Sequence, residues 1–132
     1  MDSILLPVYA HFTWCTLLYG CLTIARAPAI WGLGSRPDGS NPFAHIQPKI
    51  SANLSNQFEW PVFFHVLCVI LYCSNTPISA ILLSLAWLFV FGRVVHSIVQ
   101  ICGTSIRLRG IAFIINFVAV LAMWTMSFPV LF

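Results

Sequence analysis

The residues of this chain that are best suited to chemistry are polar groups at the head of an apolar segment. Asn53, Asn56 and Glu59 recur at every third position, so on an α-helix they would share one slowly drifting face. A mostly apolar run from Val62 to Tyr72 follows at once. An ionisable group in a membrane segment is costly and usually faces a partner or a water-filled site, so Glu59 is the first candidate for a ligand contact.

A second polar strip lies further along the chain. Arg93, His96 and Gln100 are spaced i, i+3 and i+7, which places them on a single helical face. Arg109 then opens the next apolar segment. An acid, arginines, amides and a histidine at one depth would suit a zwitterionic, amphipathic or anionic ligand, because the carboxylate can hold an amine and the arginines an anion.

The same groups have a simpler interpretation. Polar side chains in membrane bundles often only join helix to helix, with a contribution of about 0.6 kcal/mol on average. On that interpretation Glu59 pairs with Arg93 or Arg109, and Arg107 anchors the chain at the lipid headgroups. Both interpretations stay open at the level of these residues.

The elements that must position these residues follow from composition. The 132-residue chain is 60% hydrophobic and only 7% charged, and its mean hydropathy is +0.94, far from the averages of a soluble domain. A membrane-spanning helix needs about 20 mostly apolar residues. The sequence therefore predicts one all-α integral membrane domain over residues 1–132, a bundle of four transmembrane helices at about residues 3–25, 53–74, 78–101 and 109–128.

Charge placement predicts how this bundle lies in the membrane. The first connection (residues 26–52) carries three cations and one acid, and the third carries Arg107 and Arg109. The N-terminal residues, among them Asp2, and the turn at residues 74–77 carry no cation. Lysine and arginine favour the cytoplasmic side, so loops one and three are predicted to be cytoplasmic and both termini to lie on the opposite side. The net charge of +3 is explained by this anchoring, and no basic run with interleaved aromatic residues indicates a nucleic-acid partner.

Prolines are expected to shape two parts of the chain. Pro28, just after Arg26, is expected to end helix one, since proline disfavours further helix. The proline- and glycine-rich connection at residues 26–52 is expected to lack regular structure, and it is either a linker at the membrane surface or a lid over a cytoplasm-facing site. Pro61 has no N–H, so it leaves a carbonyl near Gln57 unpaired and predicts a local bend.

The cysteines give no sign of a metal site or of a disulfide. All five lie in or beside apolar segments, with no CxxC motif and no Cys/His cluster at metal-ligand spacing. Buried cysteine commonly behaves as a small apolar residue, so neither a disulfide nor a metal is predicted.

The two polar strips and the late arginine resemble the MAPEG family, the membrane-associated proteins of eicosanoid and glutathione metabolism. The chain is similar in particular to a bacterial branch of that family. The resemblance runs from about residue 52 to residue 124 and is weaker through the first helix. The motifs that carry it are Asn56-Gln-Phe-Glu59-Trp-Pro61-Val-Phe-Phe, then Gly92-Arg93-Val-Val-His96-Ser97, then Arg109.

The resemblance implies a homotrimer, in a bacterial inner membrane, with glutathione bound between neighbouring subunits near the cytoplasmic face. It assigns Asn56 and Glu59 to the amino end of glutathione, and it assigns Arg109 the catalytic role of helping to hold the thiolate. Further contacts with glutathione are assigned to Arg26, Arg93, His96 and Gln100.

Two functions are compatible with the resemblance. One is a glutathione-dependent transferase or peroxidase that acts on a lipophilic electrophile from the bilayer. The other is a non-catalytic membrane protein of the same fold that binds a lipid or a partner protein. The presence of Glu59, Arg93, His96 and Arg109 favours a polar ligand. Gln100 and Phe113 stand where family enzymes commonly have tyrosines, and Ala52 where they often have arginine, which favours the second function.

Overall fold

The computed structural model describes residues 3–75 and 77–131, and this part of the chain is built from α-helices without a β-strand. The helices are α1 (Leu5–Trp31), α2 (Gln47–Phe58), α3 (Pro61–Cys73), α4 (Ala80–Cys102) and α5 (Ile106–Leu131). Because only two residues separate α2 from α3, they form one interrupted span, and the described residues hold four segments long and apolar enough to cross a membrane. The predicted all-α bundle of four membrane-spanning helices is confirmed, and the protein is an integral multi-pass membrane protein.

Two residues used in the sequence predictions lie outside the described part. These are Asp2, on which the predicted orientation partly depends, and Thr76, in the predicted second turn. The homotrimer and the sidedness of the loops stay predictions.

The first helix is longer than the sequence predicted. α1 continues through Pro28 to Trp31 and ends at Gly32, whose φ of 68° is a left-handed conformation that glycine adopts at little cost. The Gly32 N–H and the Ser35 hydroxyl both donate to the carbonyl of Pro28, each over 3.1 Å. The predicted boundary near residue 25 is therefore corrected to Trp31, because capping by the following loop offsets the hydrogen bond that proline removes.

The first connection is an ordered series of turns. The Arg36 N–H donates to the Ser40 carbonyl over 3.0 Å, and the Gly39 N–H donates to the Arg36 carbonyl over 2.8 Å. The Asp38 carboxylate accepts from the Ser40 hydroxyl at 2.7 Å and from the Ser40 N–H at 2.9 Å. These hydrogen bonds, first that of the hydroxyl, hold the pKa of Asp38 below its ordinary value.

This connection is also shorter than the predicted residues 26–52. It is tied to α1 by the side-chain amide of Asn41, which donates to the Ala25 carbonyl over 2.9 Å. At its other end α2 already begins at Gln47, with Pro48 in the first turn, where the missing N–H of proline has no helical partner to lose. The linker and the lid both stay predictions for what remains of the loop.

The predicted bend before the second half of the second span is confirmed. α2 ends at Phe58, and Glu59 has φ −83° and ψ −96°, which lies outside the helical region. α3 then begins with Pro61 in its first turn. The break leaves carbonyls at the end of α2 without helical partners, and these groups are needed to build the polar site.

Serine side chains begin the last two helices. The Ser79 hydroxyl accepts from the Leu82 N–H over 3.2 Å, and the Ser105 hydroxyl accepts from the Leu108 N–H over 3.3 Å. The third connection is therefore only residues 103–105. Arg109 lies at the start of the last helix as predicted, and Arg107, predicted to lie in the connection, also belongs to the first turn of α5.

Two apolar clusters hold the helices together. One joins α1 to α2 around Leu22 and Leu54, and the other joins α3, α4 and α5 around the stacked rings of Phe64 and Phe89, whose centroids are 4.2 Å apart. At Gly92 α4 packs against α5 so tightly that a Cβ atom would collide with Oδ1 of Asn116. Between the two clusters lies a layer of buried polar side chains.

Candidate functional site

The buried polar layer is centred on Gln57, whose side chain is 1% exposed. Its Nε2 donates to Ser97 Oγ over 2.9 Å and to Asn53 Oδ1 over 3.2 Å. Its Oε1 lies 2.9 Å from both Arg93 Nε and His11 Nε2. One side chain of α2 therefore connects α1 to α4 through hydrogen bonds that have little competition from water.

Arg93 is held at the end of α2. Its guanidinium is buried to 1% exposure, and Nη2 donates to the backbone carbonyl of Asn56 over 2.8 Å. That carbonyl is one of those released by the break at Glu59. The arginine thus caps the negative end of the α2 dipole, which is a favourable place for a buried cation.

Gln100 gathers the two asparagines predicted on the α2 strip. Its Oε1 accepts from Asn53 Nδ2 over 2.8 Å and from Asn56 Nδ2 over 3.1 Å. Gln100 also lines a small polar cavity of about 40 Å³ together with Arg109 and the residues of the third connection. The structure therefore brings Asn56, Gln100 and Arg109 to one end of the bundle.

Glu59 and Arg109 differ from the residues around them because both are exposed. Glu59 follows Asn56 by three positions at the break, and Arg109 lies beside Gln100 at the start of α5. Within the described residues neither side chain makes a hydrogen bond or an ion pair. Within the described residues of one chain, Glu59 therefore forms no ion pair with Arg93 or with Arg109.

Two other predicted site residues lie apart from this end group. Arg26 is half-buried and donates from Nη2 to Ser51 Oγ over 3.4 Å, between α1 and α2. His96 is 3% exposed and faces α5, with its ring centroid 6.5 Å from that of Phe113. Its Nδ1 has no hydrogen-bond partner among the described atoms, which marks it as a buried polar group still available to a ligand or water.

The centre of the polar layer is formed by residues that are not among the candidates predicted from the sequence. Gln57, Ser97 and His11 are buried, and Gln57 forms hydrogen bonds with both of the others. The half-buried Trp14 joins them, because its Nε1 donates to Ser97 Oγ over 3.1 Å. The available signal was Gln57 at four positions after Asn53, which is the closer helical repeat. The predicted repeat of three positions runs instead toward Glu59, and exposure rises along it from Asn53 to Glu59.

A large cavity among the described residues lies on another face of the bundle. It is a groove of about 720 Å³ between α1 and the α2–α3 span, and its lining includes Tyr9, Phe12 and Val62. The two histidines His11 and His65 form part of its wall. The groove is wide enough for a lipid chain or a lipophilic small molecule.

Comparison with protein families connects this arrangement to a known group. The MAPEG family matches residues 4–128, nearly the whole chain. The chain belongs to the MAPEG family. No curated protein and no solved structure gives a match. MAPEG proteins are membrane-embedded and include glutathione-dependent transferases and peroxidases as well as non-catalytic members. Membership of MAPEG thus fixes the class of the protein and leaves the choice between these activities to its own residues.

Proposed function

We propose that this MAPEG protein is a membrane-bound glutathione-dependent transferase or peroxidase that acts on lipophilic electrophiles. The observation that carries the proposal is the exposed, unpaired pair of charges, Glu59 and Arg109, on either side of the bonded amides of Asn56 and Gln100. Glu59 lies at a break within the span Gln47–Cys73, where an ionisable group is costly unless it serves a partner. A zwitterionic tripeptide offers a partner to both charges.

Each end residue has a role that its chemistry supports. Glu59 and Asn56 would hold the amino group of glutathione, and Arg109 would hold its thiolate. Arg109 lies in the first turn of α5, where the free N–H groups of the helix add to the attraction for an anion. A nearby guanidinium stabilises the thiolate over the thiol, and the thiolate is the reactive form.

The remaining predicted contacts take supporting places. Gln100 would position the Asn56 amide, and the unpartnered Nδ1 of His96 would meet a polar group of the ligand or a water. Arg93 would act on the ligand through the Asn56 backbone that it holds. Arg26, bonded to Ser51, would contact the ligand only from a neighbouring subunit.

The proposal includes a homotrimer in a bacterial inner membrane, with the site between neighbouring subunits. Glu59 and Arg109 lie open on the surface of a single chain, which leaves room for a second subunit to close the site. Loops one and three, and with them the site, would face the cytoplasm, and both termini the opposite side. The lipophilic electrophile would enter from the bilayer.

A second function is supported by a different observation. Asn56 Nδ2 donates to Gln100 Oε1, Arg93 donates to two acceptors within the chain, and the large cavity beside α1 is a mostly apolar groove. These facts suit a non-catalytic MAPEG protein that binds a lipid or a partner protein. Gln100 and Phe113, in place of the tyrosines common in family enzymes, point the same way.

Titration with glutathione separates the two functions. The purified protein in detergent or nanodiscs is titrated to millimolar glutathione while thiolate absorbance is followed. Wild type is expected to bind and to show thiolate, and Arg109→Ala is expected to lose roughly 1 to 3 pKa units of thiolate stabilisation. Arg107→Ala is the matched control, because Arg107 is exposed in the same turn of α5.

The same titration tests the role of the acid. Glu59→Gln is expected to weaken binding without changing the thiolate signal at saturation, and Asp38→Asn, an exposed acid in the loop, is expected to change neither. No binding by wild type at millimolar glutathione would rule out the enzyme and favour the lipid-binding function. Equal effects of the Arg107 and Arg109 variants would remove the assignment of Arg109.

A labelling experiment tests the orientation. Single cysteines placed at Gly39 in loop one and at Asn75 after α3 are compared for reaction with a membrane-impermeant maleimide in intact cells, in a background without the native cysteines. The Asn75 site is expected to react and the Gly39 site to be protected. The reverse pattern would contradict the charge argument.

A further inference from the structure

His11 and His65 meet across the gap between α1 and α3, apart from the proposed glutathione site. His11 Nδ1 and His65 Nε2 are 3.3 Å apart, and the ring centroids are 5.0 Å apart. His11 is 1% exposed, while His65 is half-buried in the wall of the groove. The pair is the principal polar contact between these two helices.

Both outer nitrogens of the pair face groups that can only accept. His65 Nδ1 lies 2.8 Å from the carbonyl oxygen of Pro61, so this nitrogen must carry a proton. His11 Nε2 lies 2.9 Å from Gln57 Oε1. The identity of that oxygen is fixed, because Arg93 Nε always donates and lies 2.9 Å from the same atom. His11 Nε2 must therefore carry a proton as well.

The two inner nitrogens are then one proton short. Three hydrogen bonds join Pro61, His65, His11 and Gln57, and they need three protons. Two neutral imidazoles carry one N–H each, so they supply two. With both protons on the outer nitrogens, two lone pairs face each other over 3.3 Å. Any other arrangement of two protons leaves an outer acceptor facing a lone pair instead.

No neighbouring group within the described residues supplies the missing proton. Cys15 Sγ is 3.9 Å from both ring nitrogens of His11, and an atom equidistant from both lies off the lone-pair direction of either. Gln57 Nε2 is committed to Asn53 and Ser97. The proton has to come from solvent.

We propose that His11 and His65 form a proton-binding site, which takes up one proton between the two rings and thereby fastens α1 to α3. The added proton completes the third hydrogen bond and makes it charge-assisted, which shortens and strengthens it. Without the proton, the two helices present lone pairs to each other at the wall of the groove. Acidification is therefore expected to narrow the groove.

The surrounding charges make the site reversible. From α4, Arg93 bonds to the same Gln57 oxygen, and its positive charge opposes the proton. From α1, Cys15 and the exposed Tyr9 and Tyr19 are the other titratable groups at the pair or in the groove. From the end of α2, the negative charge of Glu59 attracts the guanidinium of Arg93 without contacting the histidine pair. Because no acid contacts the pair within the described chain, the proton is bound on acidification and released as pH rises.

The direct test follows the imidazole nitrogens by NMR in the full-length protein, labelled at histidine and held in nanodiscs, from about pH 8 to about pH 5. His11 and His65 are expected to share a single transition in which the pair gains one proton. His45→Gln, at an exposed loop position, assigns the independent histidine and is expected to leave that transition unchanged. Signals of His11 and His65 that stay neutral to about pH 5, or that titrate independently, would overturn the proposal.

Two further arms complete the test. Added Zn²⁺ at about pH 8 is expected to leave both signals in place, and a joint shift would show that a metal ion rather than a proton fills the gap.

Spin labels at Tyr9→Cys and Val62→Cys, in a background without native cysteines, measure the width of the groove. The distance is expected to shorten on acidification, and to stay constant when His65→Gln is added. A distance that is independent of pH in the parent would overturn the link between the proton and the helices.

Discussion

Arg93 donates from Nε to Oε1 of Gln57 over 2.9 Å, and each of the two side chains is 1% exposed. The same guanidinium donates from Nη2 to the Asn56 carbonyl over 2.8 Å. A buried arginine in a membrane span is costly. Here both acceptors are neutral, so the charge is stabilised by oriented dipoles at the end of α2 and, without a direct ion pair, by the negative charge of Glu59.

Replacing Gln57 tests how much this layer contributes to stability. Gln57→Ala removes the acceptor of Arg93 and leaves a buried charged donor unpaired, so a loss of about 2 to 4 kcal/mol in the free energy of unfolding is expected. The measurement is reversible unfolding in mixed micelles. Gln47→Ala, at the half-buried first residue of α2, is the matched control and is expected to change stability by less than about 0.5 kcal/mol. Equal losses in the two variants would show that the layer is not the source of stability.

The fold was accessible from the sequence because its determinants are local. Membrane spanning depends on summed apolar character over one segment, and the break at Pro61 depends on one missing N–H. The sequence predicts the end of α1 near residue 25 from Pro28, whereas Gly32 supplies the actual left-handed cap. Proline and glycine give competing signals for the end of a helix, and at α1 the observed end differs from the predicted one by several residues.

The site was accessible only in part because its centre is made by long-range pairs. His11 and Gln57 are 46 positions apart, and Gln57 and Ser97 are 40 apart. Spacing along one helix identifies a face and does not identify what that face meets. The repeat of Asn53, Asn56 and Glu59 runs from the buried Asn53 to the exposed Glu59, while Gln57, which lies outside the repeat, is buried beside Asn53.

Gly92 is predicted to be sensitive to substitution, because α4 packs against the Asn116 side chain of α5 at this position. A Cβ atom there would collide with Oδ1 of Asn116, whereas a Cβ atom at Gly110 in α5 would meet nothing within 4 Å. Gly92→Ala is expected to destabilise the protein by about 1 to 3 kcal/mol through overpacking. Gly110→Ala is expected to be neutral or more stable by up to about 1 kcal/mol, because alanine favours helix. Unfolding of both variants and of Gly92→Ala with Asn116→Ala measures this, and failure of the second substitution to restore stability would exclude the collision as the cause.

Trp124 ties α5 to the beginning of α3. Its Nε1 donates to the Phe63 carbonyl over 3.1 Å, so Trp124→Phe is expected to lower the free energy of unfolding by about 0.6 to 1.7 kcal/mol, the range measured for hydrogen bonds between membrane helices. Trp87, which is 44% exposed on α4, provides the control Trp87→Phe. That variant is expected to match wild type. A larger loss for Trp87 would contradict the role of the hydrogen bond.

Asp38 makes the turn of loop one dependent on pH. Hydrogen bonds from Ser40 hold the pKa of the carboxyl below its ordinary value of 3.8, so the carboxylate stabilises the turn at pH values above 3.8, and this stabilisation is lost as pH falls through the lowered pKa. Ser40→Ala removes the hydroxyl donor and is expected to raise the pKa of Asp38 toward 3.8. A carboxyl NMR titration measures it, with Ser35→Ala as a control in the same loop. An unchanged pKa in Ser40→Ala would show that the hydroxyl does not hold the carboxylate.

If the proposed glutathione function is right, substitution of Arg93 lowers stability and substitution of Arg109 lowers the thiolate signal. Arg93→Lys keeps a positive charge, but one ammonium lacks the fork that reaches both Gln57 Oε1 and the Asn56 carbonyl, so a loss of about 1 to 3 kcal/mol in stability is expected. Since Arg93 has no contact with the ligand in this assignment, the thiolate signal per bound glutathione should match wild type. Arg109→Ala, at an exposed position, should keep stability within about 0.5 kcal/mol of wild type and lose the thiolate signal. Unfolding and thiolate absorbance are measured for both variants. Loss of the thiolate signal in Arg93→Lys protein that is fully folded would show that Arg93 contacts the ligand.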